Sequence, residues 1–199
     1  MTLVGFPPLL FPSITWFSKW LCIPSSCLVL DWKWQKQSAF NRFYIDGPNG
    51  LQALTIPVKH PSVGAKVNEI EISYHTDWQS QHLKTLYSTY NNSPFFEFLQ
   101  NDLSDLYKNQ PILLIDFSVA SIDLCLYWLK EKGIENKVTK EYKNLQFVDI
   151  ELKNGTITDM TMKKYPQVFS YKNGFLEHLS CIDLIFNEGN ISKSHLLDC

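Results

Sequence analysis

A run of polar residues begins the otherwise apolar segment QKQSAFNRFYIDGPNGLQALTIPV. Arg42 and the residues upstream of it, Lys36 among them, form a patch that could bind phosphate or carboxylate, because the planar guanidinium group donates paired hydrogen bonds to both. The alternative for Arg42 is structural, as an arginine at a strand edge that pairs with Asp31 or Asp46. The residue types alone therefore allow either a ligand site or the polar end of an ordinary hairpin.

His82 is the candidate proton acceptor. It lies four residues from both Trp78 and Leu86, a spacing that places all three on one face of a predicted helix. A half-buried imidazole with a pKa near neutrality could act as a general base. The alternative is a histidine at the edge of the core, held by a hydrogen-bond partner. Cys22 and His82 would make a thiolate–imidazole pair, but no motif around the cysteine supports it.

Common catalytic and metal-binding motifs are missing from the sequence. The chain has no GxGxxG, P-loop, HExxH or GxSxG segment. Its five histidines do not have the spacing of metal ligands, and Cys22 and Cys27 are five residues apart rather than in a CxxC pair. We therefore expect no metal ion and no cofactor.

The composition is that of one globular domain. The 199 residues are 45% hydrophobic and 14% aromatic, enough for a sizeable core. A net charge of −2 argues against a surface for nucleic acid or anionic membranes. Prolines interrupt the apolar N-terminal segment, so we expect neither a signal peptide nor insertion into a membrane. The odd number of cysteines is typical of reduced thiols, which predicts a cytoplasmic protein.

The hairpin is the clearest β-structure in the sequence. A strand is predicted over 40–46, and the Pro48-Asn49-Gly50 segment marks the turn, since Asn and Gly tolerate positive φ. In this register Phe43 points into the core and Arg42 points away from it. Asn41 falls on the apolar face, so its amide must find partners there.

Two central helices have the strongest periodicity. The first is predicted to begin at Thr76 or Asp77 and to end after Tyr90. Ser93 is predicted to cap the second helix, with a proline in its first turn. That helix is expected to bury an apolar stripe that includes Phe98.

Three further helices have recognisable ends. Ser13 is predicted to cap a helix that runs through Leu21, and Ser118 to cap another that Gly133 stops. The segment EHLSCIDLIFNEGN predicts a helix that ends near Gly189. The last ten residues are expected to be loose.

The remaining β-signals are weaker. The segments CLVLD and NEIEISY read as strands, and PILLIDF as either a strand or the start of a helix. A strand followed by a hairpin with its turn at Asn154-Gly155 is predicted over 136–170. The predicted fold is one compact α+β domain spanning 1–199, with a mixed sheet that contains the hairpin and packs against several helices.

Five segments, in this order, resemble the WbqC-like protein family, in a variant similar to those of Bacteroidetes-type bacteria. They are LLFPSITWFSKWL, QKQSAFNRFYI with GPNG and TIPV after it, DWQSQHLKTLYSTYNNSPFFEF, YPQVF and LSCIDLIFNEG. Together they run from about residue 9 to 190, nearly the whole chain. Two positions depart from the family pattern: Ala39-Phe40 replace an aromatic-then-basic pair, and Asp31-Trp32-Lys33-Trp34 replace an acid-rich segment. These departures predict either a changed substrate or a loss of activity.

The resemblance implies a role in the biosynthesis of O-antigen and related lipopolysaccharide-type surface polysaccharides. Some members are thought to be transferases that attach acyl or aminoacyl groups to nucleotide-linked amino sugars. On that basis His82 is expected to act as general base and Asn41 to bind the oxyanion. The expected substrate-binding residues are Lys36, Arg42, Tyr90 and Ser93. The alternative is a non-catalytic protein that binds a sugar or nucleotide, or a partner in polysaccharide assembly.

Overall fold

The larger sheet consists of four parallel strands. The structure is a computed structural model and describes residues 2–134, 138–139, 145–157, 160 and 162–198. The strands are β1 (Leu3–Phe6), β2 (Ser26–Val29), β5 (Val138–Thr139) and β6 (Leu145–Phe147), in the order β5-β2-β1-β6. The strand predicted at CLVLD is confirmed as β2. The pattern does not reveal β1, because a four-residue apolar run has no period of its own.

The predicted hairpin is confirmed and forms a sheet of its own, separate from the parallel one. It comprises β3 (Arg42–Gly47) and β4 (Gly50–Thr55), with Arg42 opposite Thr55 and Phe43 opposite Leu54. Phe43 is buried and Arg42 is half-buried, as the alternation predicts. β3 begins two residues later than predicted, because residues 36–40 turn back on themselves.

Seven helices pack on these sheets within the described residues. They are α1 (Ile14–Cys22), α2 (Trp78–Tyr90), α3 (Phe96–Lys108), α4 (Leu114–Trp128), α5 (Ser170–Asn173), α6 (Cys181–Glu188) and α7 (Ser192–Leu197). The helices predicted at α1, α2 and α6 are confirmed. Their first turns are capped by the side chains of Ser13, Asp77 and Ser180, each of which accepts a backbone hydrogen bond.

The predicted caps at Ser93 and Ser118 are wrong. α3 begins at Phe96, and the backbone N–H of Phe95 just before it donates to the carbonyl of Phe186. Ser118 lies inside α4, whose start at Leu114 is held by a hydrogen bond from its N–H to the carbonyl of Ile70. In both helices a carbonyl from another part of the chain determines where the first turn forms.

Other local predictions also need correction. Phe98 is 74% exposed rather than part of the buried stripe of α3. α4 ends at Trp128, before Gly133, and Lys130 adopts the left-handed φ of 57° that was expected of a glycine. NEIEISY forms a 3₁₀ turn and isolated bridges rather than a strand.

The C-terminal residues are not loose over 192–197. They form α7, which packs against α1, and Ser18 Oγ donates to the carbonyl oxygen of Leu196 at 2.6 Å. The turn at Asn154-Gly155 is confirmed, with Glu151 paired to Thr156. Part of the strand predicted before it lies outside the described residues.

One hydrophobic core extends from Phe6 in β1 to Leu196 in α7. The structure thus confirms a single compact α+β domain. Within the described ranges, no helix combines the length and apolar character needed to cross a membrane.

Gly155 provides a test of this packing, because it has a φ of 72° and a Cβ there would lie 2.8 Å from Ala39 Cβ. Gly155→Ala should therefore lower the free energy of unfolding through both backbone strain and steric contact, by about 2 kcal/mol or more. Urea denaturation measures the change. Gly64→Ala is the matched control, since Gly64 has a φ of 81° with open space around it and carries only the backbone term. Equal losses in the two variants would contradict the predicted contact.

Candidate functional site

His82 lies between α2 and the hairpin, and both of its ring nitrogens are hydrogen-bonded. Nε2 is 3.2 Å from the carbonyl oxygen of Thr55, and Nδ1 is 3.1 Å from the hydroxyl of Tyr107. A carbonyl oxygen only accepts, so Nε2 carries the proton and Nδ1 accepts from Tyr107. Burial lowers the pKa of His82 to about 4, against the opposing effect of the bond to Thr55. The imidazole is therefore neutral at physiological pH.

The lone pair that a general base would use is the one that Tyr107 engages. Proton transfer at His82 requires this hydrogen bond to open. The ring is also enclosed by Trp78 and Phe43, with centroid distances of 5.3 and 5.9 Å. Cys22 is exposed at the end of α1 and is not a hydrogen-bond partner of His82.

Asn41 is buried at the start of β3 and is only half satisfied. Its Nδ2 donates to the carbonyl oxygen of Ile56 at 2.8 Å, whereas Oδ1 has no hydrogen-bond partner among the described residues. An unpaired buried acceptor carries a penalty of about 1–3 kcal/mol. A side-chain amide has two N–H donors, so one remains for a ligand. The hydrogen-bond partner that burial of Asn41 requires is thus found for Nδ2 but not for Oδ1.

Arg42 does not make the ion pair that the structural alternative required. Asp31 pairs with Lys66 at 2.9 Å, and Asp46 accepts from the backbone N–H of Phe169 at 3.0 Å. The Nε of Arg42 instead donates to Thr55 Oγ1 at 3.2 Å. No carboxylate within the described part of the chain forms a salt bridge with Arg42, so pairing with Asp31 or Asp46 is wrong.

A small cleft lies beside Arg42, between the start of the hairpin and the loop that follows β1. Its lining includes Tyr44, Asn154, His178 and Ser180 but not His82. The cleft has a volume of about 10 Å³, close to the space that one water molecule needs. It therefore admits a single small group rather than a whole substrate.

Backbone strain is concentrated at this cleft. Phe11 and His178 both line it, and both have positive φ, 38° and 68°. Non-glycine residues in this region carry about 1–3 kcal/mol of strain and cluster at functional sites. Ser121 Oγ accepts from the N–H of Phe11 at 3.0 Å, and Ser180 Oγ donates to its carbonyl at 2.8 Å. These buried bonds hold the strained loop in place.

Thr55 connects the two halves of the predicted site, and residue typing alone did not single it out. Its hydroxyl accepts from Arg42 and its carbonyl from His82. Arg42 and His82 are therefore linked through one residue, although they do not face each other across one open cleft. The register of the predicted hairpin, which pairs Arg42 with Thr55, is the signal that could have revealed it.

Tyr90 and Ser93 belong to a different network, on α6. The Tyr90 hydroxyl donates to Asp183 Oδ1 at 2.6 Å, and the Tyr165 hydroxyl donates to Oδ2 at 2.7 Å. Burial raises the pKa of Asp183 to about 6, although the two tyrosine bonds act in the opposite direction. Ser93 Oγ donates to Asn187 Oδ1 at 3.3 Å.

Lys36 is exposed in the turn that precedes β3.

In the part of the chain that the structure describes, no three His, Cys, Asp or Glu residues are grouped so that they could hold a metal ion. The candidate site therefore relies on Arg42, Asn41 and His82, with Thr55 between them.

Comparison with known proteins identifies a family. A family model described as the WbqC-like protein family matches residues 8–152. No curated protein and no solved structure matches the chain.

The pKa shifts of His82 and Asp183 predict opposite effects of pH on stability. The pKa of His82 falls from 6.5 to about 4 on folding, so its contribution is present above pH 6.5 and is lost toward pH 4. The pKa of Asp183 rises from 3.8 to about 6, so its contribution is present below pH 3.8 and is lost toward pH 6. Each shift corresponds to about 3 kcal/mol, and the two offset each other over this window.

Urea unfolding of variants between pH 4 and 7 separates the two effects. His82→Gln should become more stable relative to the wild type as the pH falls from 6.5 to 4, because the proton-binding penalty is gone. Asp183→Asn should become less stable over the same window. Stability curves parallel to that of the wild type would show that neither group changes its pKa on folding.

Proposed function

Because this chain belongs to the WbqC-like protein family, we propose that it acts in the biosynthesis of an O-antigen-type surface polysaccharide and binds a nucleotide-linked amino sugar. Family membership supports the first part of the proposal. The environment of Arg42 supports the second. The proposed ligand is anionic, and Arg42 supplies the charge that receives it.

The observation that carries the proposal is a half-buried guanidinium group that is oriented but has no carboxylate partner among the described residues. Thr55 Oγ1 engages Nε only, at 3.2 Å. A guanidinium group has five N–H donors, so the remaining four can bind a phosphate or carboxylate in the paired geometry that arginine favours. Partial burial strengthens this attraction, since less water screens it.

The small cleft next to Arg42 limits how the ligand is held. One phosphate oxygen or one carboxylate oxygen fits the space of about 10 Å³, while the rest of the ligand lies outside. Lys36, exposed in the preceding turn, would meet the remaining phosphate charge from the solvent side. For Tyr90 and Ser93 the proposed role is structural, to hold α2 and α3 against α6. Their hydroxyl groups donate to Asp183 and Asn187 on that helix.

In its finer form, the proposal is transfer of an acyl or aminoacyl group from an activated donor to the sugar amine. The amine nitrogen attacks the donor carbonyl carbon, and the carbonyl π-electrons move to oxygen. The second N–H of Asn41 would donate to this oxyanion. His82 would take the amine proton at Nδ1 after the Tyr107 bond opens. Collapse of the oxyanion then forms the amide and expels the leaving group of the donor.

The second candidate is a non-catalytic protein that binds the same sugar nucleotide. The geometry of His82 favours it, since both ring nitrogens already have partners and the ring is enclosed. In this case His82 positions Thr55, and through it Arg42, without exchanging a proton.

Thermal unfolding with nucleotide-linked amino sugars, free nucleotides and acyl-CoAs tests the binding proposal. A ligand at 100 times its dissociation constant should stabilise the wild type by about 2.7 kcal/mol, or roughly 5–10 °C. Arg42→Ala should lose this shift, and Arg42→Lys should keep part of it, because the charge remains without the paired geometry. Lys108→Ala, which removes an exposed cation on α3, is the control and should retain the full shift. An equal shift in wild type and Arg42→Ala would place the ligand elsewhere.

The pH dependence of acyl transfer decides between the two candidates. If His82 is the base, its pKa of about 4 predicts that its own protonation lowers the rate only near pH 4, whereas protonation of the sugar amine lowers the rates of wild type and His82→Gln alike at higher pH. His82→Gln should then lower kcat by about 10²–10⁴-fold. Transfer that survives His82→Gln with an unchanged kcat would remove His82 from the chemistry. Binding without any transfer would favour the second candidate.

A further inference from the structure

A larger cavity opens at the carboxyl edge of the parallel sheet, lined by residues that the proposed function does not use. Its volume is about 420 Å³, within the roughly 300–1,000 Å³ of small-molecule sites. Among the described residues, the lining includes Val29, Asp31, Trp32, Lys33 and Phe147. Val29 is the last residue of β2 and Phe147 the last residue of β6, so two strand ends form its floor.

The position of this cavity in the topology is that of a ligand site. In open parallel sheets, ligands bind beyond the carboxyl ends of the strands, where the strand order reverses. Here β1 is central, with β2 on one side and β6 on the other. Gly5 of β1 allows the neighbouring side chains to close over it, since a Cβ there would lie 2.8 Å from Val29 Cγ2 and 3.3 Å from Phe147 Cδ1.

Two aromatic rings make one corner of the cavity. Trp32 and Phe147 meet edge to face, with centroids 4.9 Å apart and an angle of 89° between the ring planes. Phe147 is 53% exposed at the end of β6, an edge strand of the sheet. A flat ring that stacks on the Trp32 face would meet the Phe147 ring with its edge. An exposed aromatic ring of this kind can stack on any nucleobase, because every base has a π-face.

Asp31 adds a polar group to this aromatic corner. It follows β2 by two residues, and Lys66 Nζ donates to its Oδ2 at 2.9 Å. An ionised carboxylate offers about four acceptor positions, so it can receive hydroxyl donors in addition to this bond. In β-α-β folds that bind dinucleotides, an acidic residue beyond the second strand accepts from the ribose hydroxyls. β1, α1 and β2 are arranged in this order here, and Asp31 occupies the corresponding place.

We propose that this cavity binds a nucleoside, with its base stacked on Trp32 and its ribose diol donating to Asp31. The choice of a nucleoside over another flat diol rests on the proposed function, in which the ligand is a sugar nucleotide. The loop after β1 and the turn after β6 reach the Arg42 cleft through Phe11 and Asn154. The two sites therefore lie on segments that leave the same edge of the sheet.

Titration with uncharged nucleosides tests this site without involving the phosphate contact at Arg42. Adenosine, guanosine, cytidine and uridine are added to the intact protein, and binding is followed by calorimetry and tryptophan fluorescence. At least one should bind saturably and quench Trp32. Its 2′,3′-dideoxy analogue should bind about 10- to 100-fold more weakly, the factor for losing hydrogen bonds to a charged group. Asp31→Asn should weaken the ribonucleoside and leave the dideoxy analogue unchanged.

Matched variants control for structural damage. Trp32→Ala should abolish nucleoside binding and Trp32→Phe should retain part of it, with circular dichroism confirming that both fold. Lys66→Gln removes one partner of Asp31 but keeps the carboxylate, so it should still discriminate between ribonucleoside and dideoxy analogue. Arg42→Ala should bind the nucleoside like the wild type and lose affinity only for phosphorylated forms.

Two outcomes would overturn the inference. Absence of saturable nucleoside binding to the folded wild type, while a nucleotide-dependent thermal shift through Arg42 persists, would refute this cavity and leave the proposed function standing. Binding of methyl glycosides in place of nucleosides, with the same dependence on Trp32, would assign the cavity to a sugar ring instead. Nucleoside binding with no contribution from Arg42 to nucleotide affinity would support the cavity and count against the proposed phosphate contact.

Discussion

The neutral imidazole of His82 on α2 makes hydrogen bonds to two other elements of the fold, β4 and α3. Its proton goes to the carbonyl oxygen of Thr55 at the end of β4, and its lone pair receives the hydroxyl of Tyr107 on α3. Because the ring is buried, protonation would leave a charge without a counter-ion, which is why its pKa falls to about 4. This pair of bonds places Thr55, and Thr55 in turn orients the guanidinium group of Arg42.

Buried hydroxyl groups play a similar part around the strained loop after β1. Ser121 and Ser180 satisfy both backbone groups of Phe11, and Ser13 Oγ donates to the carbonyl of Gly155 at 2.5 Å. Buried backbone groups require such partners, because an unpaired one carries a penalty of about 1–3 kcal/mol. These bonds hold the loop in place, and the loop in turn lines the Arg42 cleft.

Local chemistry in the sequence was sufficient where partners are close along the chain. The cap at Ser13, the helix that begins after Asp77 and the Pro48-Asn49-Gly50 turn are all confirmed, since each depends on residues two to four positions apart. The alternation of apolar and polar residues also predicted correctly which face of the hairpin points into the core. The candidate residues Arg42 and His82 could be named from residue type, spacing and family resemblance, whereas Tyr107, the partner of His82 on α3, could not.

The sequence by itself thus determined the α+β class and the hairpin, through local caps, turns and periodicity, and it indicated the family through the five segments that resemble it. Tertiary structure decided where α3 and α4 begin and which strands pair, because these features depend on contacts between residues that are distant in the sequence. Ser93 and Ser118 have the same residue type as Ser13, yet carbonyls from Phe186 and Ile70 set the starts of α3 and α4. The parallel pairing of β1 with β6 likewise brings Leu3 beside Leu145, which no local pattern encodes. Long-range pairing of this kind is selected by burial of the whole core, so it is visible only once the chain has folded.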